Sequence, residues 1–209
     1  MARPHPILTI GHSRHSLERF LALLEAGQVT AVADVRSAPV SRFSPHFNKS
    51  ALAASLAERA IAYVFLGAEL GGRPEGEAMY SDGRADYEKM AAGSEFHAGL
   101  ARVTETAKRH RMAVMCSEAD PLDCHRCLLV GRALAGAGFD IGHILASGEI
   151  ITHGAVEERL LQLEHLAEAD LLLGSRAERL AEAYRARGRR IAYARPVAPS
   201  ARGGVGRRD

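Results

Sequence analysis

The sequence predicts an α/β protein built on a mostly parallel sheet. Two observations carry this expectation. Short apolar stretches alternate with amphipathic helical stretches in regular order, which implies parallel strands joined by right-handed helical crossovers. Four of the apolar stretches also run directly into polar or glycine-rich loops, as strands do when their carboxyl ends converge on one ligand cleft. The length of 209 residues and the 47% hydrophobic content suit one compact domain with a real core.

The elements follow in order. "ILTIGH" (7–12) reads as a strand, and "SLERFLALLEAG" (16–27) as a helix with Ser16 as N-cap and Gly27 as stop. "AVADVRS" (31–37) is a second strand, "KSALAASLAERA" (49–60) a helix and "AYVFLG" (62–67) a third strand. A long glycine-rich connection leads to a helix near 94–109, then to the strand "MAVMCS", a helix over 125–137 and a last strand, "IGHILA" (141–146). "GAVEERLLQLEHL" and "RAERLAEAYRARG" are read as terminal helices, and no internal repeat is visible. The domain is expected to span 1–184.

The net charge of +2 hides an asymmetry. Residues 185–209 hold eight arginines and one acid, a charge of +7, which leaves the first 184 residues at −5. This Gly-, Pro- and Arg-rich end is expected to be a disordered basic tail, able to touch nucleic acid by unspecific charge or simply solvated. Arginine is the general cation of the chain, 24 against three lysines. No window is apolar enough for a membrane span and the start lacks a signal peptide, so a cytoplasmic protein without membrane contact is expected. Three cysteines within twelve residues make no disulfide framework.

The loops after the strands hold the candidate residues. Gly11, His12 and Ser13 follow the first strand, Asp34 and Arg36 end the second, Gly71 and Gly72 follow the third, and Cys116 and Glu118 end the fourth. Asp34 and Arg36, two apart on an extended chain, share a face, as ligand-facing residues or as a buried salt bridge. In the stiff loop "SAPVSRFSPHFN", Arg42 with Ser41 and Asn48 could hold a phosphate or carboxylate. Phe43 and Phe47 read as core staples.

All three thiols lie in "VMCSEADPLDCHRC". Cys124 falls at an expected helix start beside Arg126, a setting that favours thiolate, and Glu118 with His125 could move protons. Cys116 and Cys127 could equally be packing residues. Three chemistries compete. "CHRC" is a C-x-x-C, the pattern of thiol redox work. Cys116, Glu118, Cys124 and His125 have metal-ligand types, but adjacent Cys-His ligands are awkward and the spacing matches no standard zinc signature, so no bound metal is expected. An anion cradle with a thiol matches in part.

These motifs bring a resemblance. "TIGHS", "DVRSAPVSRFSPHFNK", "YVFLGAELGGR", "MCSEADPLDCHR" and "GHIL", over about residues 7–145, resemble in order the family called domain of unknown function 488. The resemblance implies a Rossmann-like three-layer fold and marks Gly11, His12, Ser13, Asp34, Arg36, Ser41, Arg42, Pro45, Phe47, Asn48, Gly71, Gly72, Cys116, Glu118, Cys124, His125 and Arg126. It supplies no reaction and no cofactor. The functional expectation is an enzyme that binds a small anionic ligand or nucleotide at the strand ends. Arg36, Arg42 and Arg126 would hold the anion, Cys124 or Cys116 would supply the thiol, and Glu118 or His12 would move a proton. A nucleic-acid or modified-base binding module is the alternative.

Overall fold

The computed structural model describes residues 5–167 and 174–196. In chain order the elements are β1 (Ile7–Gly11), α1 (Leu17–Ala26), β2 (Ala31–Asp34), α2 (Lys49–Ala57), β3 (Ala62–Phe65), a single turn α3 (Gly67–Leu70), the hairpin β4 (Tyr80–Ser81) and β5 (Arg84–Ala85), α4 (Tyr87–Ala91), α5 (Ser94–Ala107), β6 (Met112–Cys116), a π-helix (Arg126–Gly131) continuing as α6 (Arg132–Gly136), β7 (Ile141–Ile144), β8 (Ile150–Thr152), α7 (His153–Leu163) and α8 (Arg176–Ile191). The expected α/β class and mostly parallel sheet are present.

The six-stranded sheet has the order β3-β2-β6-β1-β7-β8, parallel except for β8. Alternation along the strands divides the core between two faces. Leu8, Ile10, Val32, Ala113 and Met115 face Phe20, Leu24, Leu52 and Leu56 of α1 and α2. Ile7, Ala31, Ala33, Val114 and Cys116 face Phe96 and Val103 of α5 and Leu129, Val130 and Leu134 of the π-helix and α6. A third cluster joins Cys127 and Leu128 to Val156, Leu160 and Leu161 of α7 and Ala183 and Tyr184 of α8.

Local chemistry sets several boundaries. Ser16 caps α1 by accepting from the Arg19 amide at 3.1 Å, and Ser175 forms a capping box with Glu178 at the start of α8. β2 stops at Asp34 rather than at 37, because the carboxylate accepts the Arg36 amide at 3.1 Å and bends the chain out of the ladder. The helix expected over 125–137 begins with a π-helical turn, which turns six consecutive side-chain positions, Arg126 to Gly131, into buried ones. The long glycine-rich connection holds α3, the β4–β5 hairpin and α4. β8, too short to stand out in the sequence, closes the sheet edge.

The expected tail boundary at 185 is corrected. Residues 185–191 belong to α8, Ala194 bridges to Arg84, and the Arg195 amide donates to Gly83 at 2.9 Å. The hairpin holds this segment by that one bridge and its flanking backbone hydrogen bonds, a long-range pairing that composition cannot show. Residues 197–209 of the expected tail lie outside the described residues. Among the described residues, no helix is long and apolar enough to cross a membrane.

A buried polar chain ties the last strands to the terminal helices. Thr9 Oγ1 lies 2.8 Å from His143 Nδ1, His143 Nε2 lies 3.0 Å from His153 Nδ1, and His153 Nε2 lies 3.0 Å from the Tyr184 hydroxyl. Tyr184 in turn donates to Glu157 at 3.2 Å. Burial, with His153, Arg126 and Arg159 nearby, lowers the His143 pKa from 6.5 to about 3. The unfolded chain therefore takes up this proton at a pH where the folded chain refuses it. Stability from this group is complete above pH 6.5 and falls by about 1.4 kcal/mol per pH unit as the pH drops from there toward 3. Denaturant unfolding of the full chain between pH 7 and 5 is expected to lose stability as the pH falls, with buried His12 contributing as well, and His143→Gln to lessen the slope by about 1.4 kcal/mol per pH unit. Equal slopes in the two proteins would contradict the assignment.

Candidate functional site

The chain leaves β2 toward β3 on one side and leaves β6 toward β7 on the other, although β2 and β6 are neighbours. Their connections part at the carboxyl ends, which is the crevice where open α/β sheets bind ligands. A cleft of about 250 Å³ opens there. Arg36, Ser37 and Ala38 line it from β2, and Cys116, Ser117 and Glu118 from β6. Gly72 and Arg73 follow α3, and Cys124 and His125 sit just before the π-helix. A larger cavity of about 820 Å³ lies along β7, β8, α7 and α8, and it is lined by none of the sequence-expected site residues.

One wall is held by a buried ion pair. Asp34 is fully buried and accepts from Arg36 Nε at 2.9 Å, Arg36 Nη2 at 2.6 Å and the Tyr63 hydroxyl at 2.8 Å. Arg36 Nη1 then reaches His12 Nε2 at 3.3 Å. His12 Nδ1 lies 3.0 Å from the Ser13 carbonyl, which can only accept, so the ring is neutral with Nε2 as acceptor. Burial, followed by the charge of Arg36, lowers the His12 pKa to about 4, in keeping with that state. The ring also stacks on Phe47 at 4.3 Å between centroids. His12 therefore supports Arg36 and does not line the cleft.

The floor is the sulfur cluster. Cys124 Sγ donates to Glu118 Oε2 at 2.9 Å, and it lies 3.9 Å from His125 Nδ1, which is 3.8 Å from Cys116 Sγ. His125 Nε2 faces the Val35 carbonyl at 3.1 Å, so Nε2 carries a hydrogen and Nδ1 is the nitrogen turned to both sulfurs. The Arg126 amide points at Cys124 Sγ at 3.4 Å. Burial alone would raise the Cys124 pKa, but hydrogen bonding from Cys116 and the charges of Arg126 and His125 bring it well below the usual thiol value. Cys116 moves well above it, through its hydrogen bond to Cys124 and then burial. Glu118 is exposed as a residue, yet its carboxyl is turned onto Cys124, and burial there raises its pKa.

Close approach explains the glycines. A Cβ on Gly11 would stand 1.8 Å from the Glu118 carbonyl oxygen, and one on Gly72 would stand 2.9 Å from the His125 ring. Gly71 packs against Ser37 and the Gly67 carbonyl in the same way. These three let the loops after β1, β2, β3 and β6 lie on one another.

The structure separates residues that the sequence grouped. Arg126 is fully buried beneath the cleft, where Nη1 and Nη2 donate to the Glu118 and Ala119 carbonyls at 2.6 and 3.0 Å. It shapes the loop and reaches no ligand, which corrects the expectation that it holds an anion. Arg42 is exposed on its loop and does not line the cleft. Asn48 accepts the Ser41 amide at 2.6 Å, and Ser41 Oγ accepts the Phe43 and Ser44 amides, so both stiffen that loop instead. Phe47 is core as expected, whereas Phe43 is exposed. Ser13 joins its loop to the next by donating its amide to Ser117 at 2.8 Å.

The strand-end rule places Arg73 in the loop after the third strand without giving it a role, whereas Tyr87 and Tyr193 escape sequence reasoning. Tyr87 and Tyr193 gave no signal, because hairpin and C-terminal segment bring them to the cleft only by long-range pairing.

A family model described as "Domain of unknown function DUF488" matches residues 16–133, which carry all of the cleft floor. No curated protein and no solved structure matches the chain.

Removing one partner of a buried ion pair strands the other, at a cost of about 3–5 kcal/mol. Asp34→Ala is expected to destabilise the protein by that amount in chemical denaturation, while exposed Arg42→Ala stays within about 0.5 kcal/mol of the parent. Comparable losses for the two would refute the buried pair as the support of this wall.

Proposed function

The chain belongs to the DUF488 family, and we propose that it is an enzyme acting on a small anionic molecule, phosphate-bearing or nucleotide-like, bound in the cleft between the ends of β2 and β6. One observation carries the reading: a free arginine and the sulfur, imidazole and carboxyl groups face the same small cleft. Arg36 is neutralised by Asp34, but Arg73 has no carboxylate within salt-bridge distance among the described residues. Its guanidinium instead lies over the Tyr193 ring, 4.8 Å from the centroid. A guanidinium held on an aromatic face keeps its donor edge for a ligand.

The acids of the cleft are already engaged. Asp123 pairs with Arg187, and Glu118 accepts from Cys124. The positive charge of Arg73 is thus the one a ligand meets. At about 250 Å³ the cleft lies just below the range of about 300–1,000 Å³ of drug-sized ligand pockets, which limits its occupant to a small molecule or the anionic end of a larger one. Cys116, Glu118, Cys124 and His125 are the reacting groups in this reading, with Glu118 placed to pass a proton between the floor and the mouth.

A charge-assisted hydrogen bond contributes about 1.5–3 kcal/mol, or about tenfold or more in affinity. Titration calorimetry with inorganic phosphate and with adenosine monophosphate is expected to show binding by the parent and a loss of about that size in Arg73→Ala. Unchanged affinity in Arg73→Ala, or no affinity of the parent for either probe, would remove the anion cleft.

A further inference from the structure

We infer that Cys116, Glu118, Cys124 and His125 form a zinc-binding site on the floor of the cleft, with Glu118 as the exchangeable ligand. Their donor atoms all lie within 4.8 Å of one another. Tetrahedral zinc, with bonds of about 2.3 Å to sulfur and about 2.0–2.1 Å to nitrogen, separates the two donors by about 3.6 Å. The two sulfurs stand 3.8 and 3.9 Å from His125 Nδ1, close to that value. Cys124 and Glu118 are nearer, at 2.9 Å, because a thiol proton bridges them, and a metal displaces that proton. Zinc binding is balanced by release of the Cys116 thiol proton and of the one proton shared by Cys124 and Glu118.

Adjacent cysteine and histidine ligands point apart in a regular element. Here Cys124 is extended, with φ −140° and ψ 137°, while His125 is helical, with φ −60° and ψ −25°. That break in conformation aims both side chains at one point. The surroundings are those of a metal site. The Nε2 of His125 donates to the Val35 carbonyl, as a ligating histidine donates its other nitrogen, and the Arg126 amide donates to Cys124 Sγ.

Arg126 gives the independent argument. It is fully buried, has no salt-bridge partner among the described residues, and its Nε has no hydrogen-bond partner. A buried cation that cannot ligate a metal is paired with a negative charge. Zinc with two thiolates and one carboxylate carries a net charge of −1, which supplies the missing counter-ion. The donor set of sulfur, nitrogen and one oxygen suits zinc over magnesium or calcium. The site deepens the functional reading above, on which it rests for the cleft, by turning those four groups from reactants into ligands that make the floor a Lewis acid beside the Arg73 anion position.

Elemental analysis of the purified full chain is expected to give about one zinc per chain, kept in Cys127→Ser and lost in Cys124→Ser and His125→Gln. Cobalt added to chelator-stripped parent protein is expected to raise a thiolate-to-metal charge-transfer band, a reading that needs no variant to fold. Stripped protein that takes up neither zinc nor cobalt overturns the site. So does zinc lost from Cys127→Ser but kept in Cys124→Ser, which would place the metal at the buried Cys127, His143 and His153 group. Stripped protein that takes up no metal yet binds phosphate through Arg73 ends the zinc site and leaves the cleft. Zinc uptake without phosphate affinity does the reverse.

Discussion

The guanidinium of Arg126, buried under the end of β6, donates to the Glu118 and Ala119 carbonyls, and the shape of the loop above depends on those two bonds. They fold the chain after Cys116 back over the sheet, so that Glu118 meets Cys124 across six residues. A lysine could not replace this fork, because one ammonium cannot offer two donors in a fixed plane. Gly11 is the matching constraint, since any side chain there would collide with the carbonyl that Arg126 holds. The floor is thus assembled from backbone contacts before any side-chain chemistry enters.

The opposite wall depends on Asp34 in the same way. One carboxylate ends β2, fixes Arg36 and receives Tyr63, and it holds Arg36 where Nη1 reaches His12 Nε2. Both walls stand where β2 and β6 send their connections in opposite directions. The third side comes from farther away. The Ala85 amide donates to the Tyr193 carbonyl at 2.9 Å, and this pairing brings Ile191 and Tyr193 against the cleft beside Tyr87. Tyr193 lies beyond the segment that matches the family, so this part of the cleft wall belongs to the C-terminal extension of the chain.

The three thiols divide between two environments. Cys116 and Cys124 face the cleft floor, while Cys127 lies in the cluster with Leu122, Leu128 and Val156, beside His143 and His153. The C-x-x-C spacing therefore joins a residue of the floor to a residue of the terminal-helix core. Burial raises the Cys127 thiol pKa, as expected of a packing cysteine.

Alternation of apolar strands and amphipathic helices determined the α/β class and the parallel sheet, since periodicity is a local property that survives without the fold. The strand-end rule also marked Arg36, Cys116, Glu118, Cys124 and His125 as neighbours, because topology fixes where loops converge. Distances from the sequence could not distinguish Arg126 from Arg36, or Arg42 from Arg73, since the direction of a long side chain depends on what the surrounding core leaves open. The hairpin, β8 and the pairing of residues 192–195 were illegible for a related reason: two- and three-residue strands carry too little pattern, and their partners are remote. Local pattern was enough to tell which residues gather at the sheet end. That four of them point at one spot while Arg126 stays beneath depends on close packing of loops distant in the chain, which no local pattern encodes.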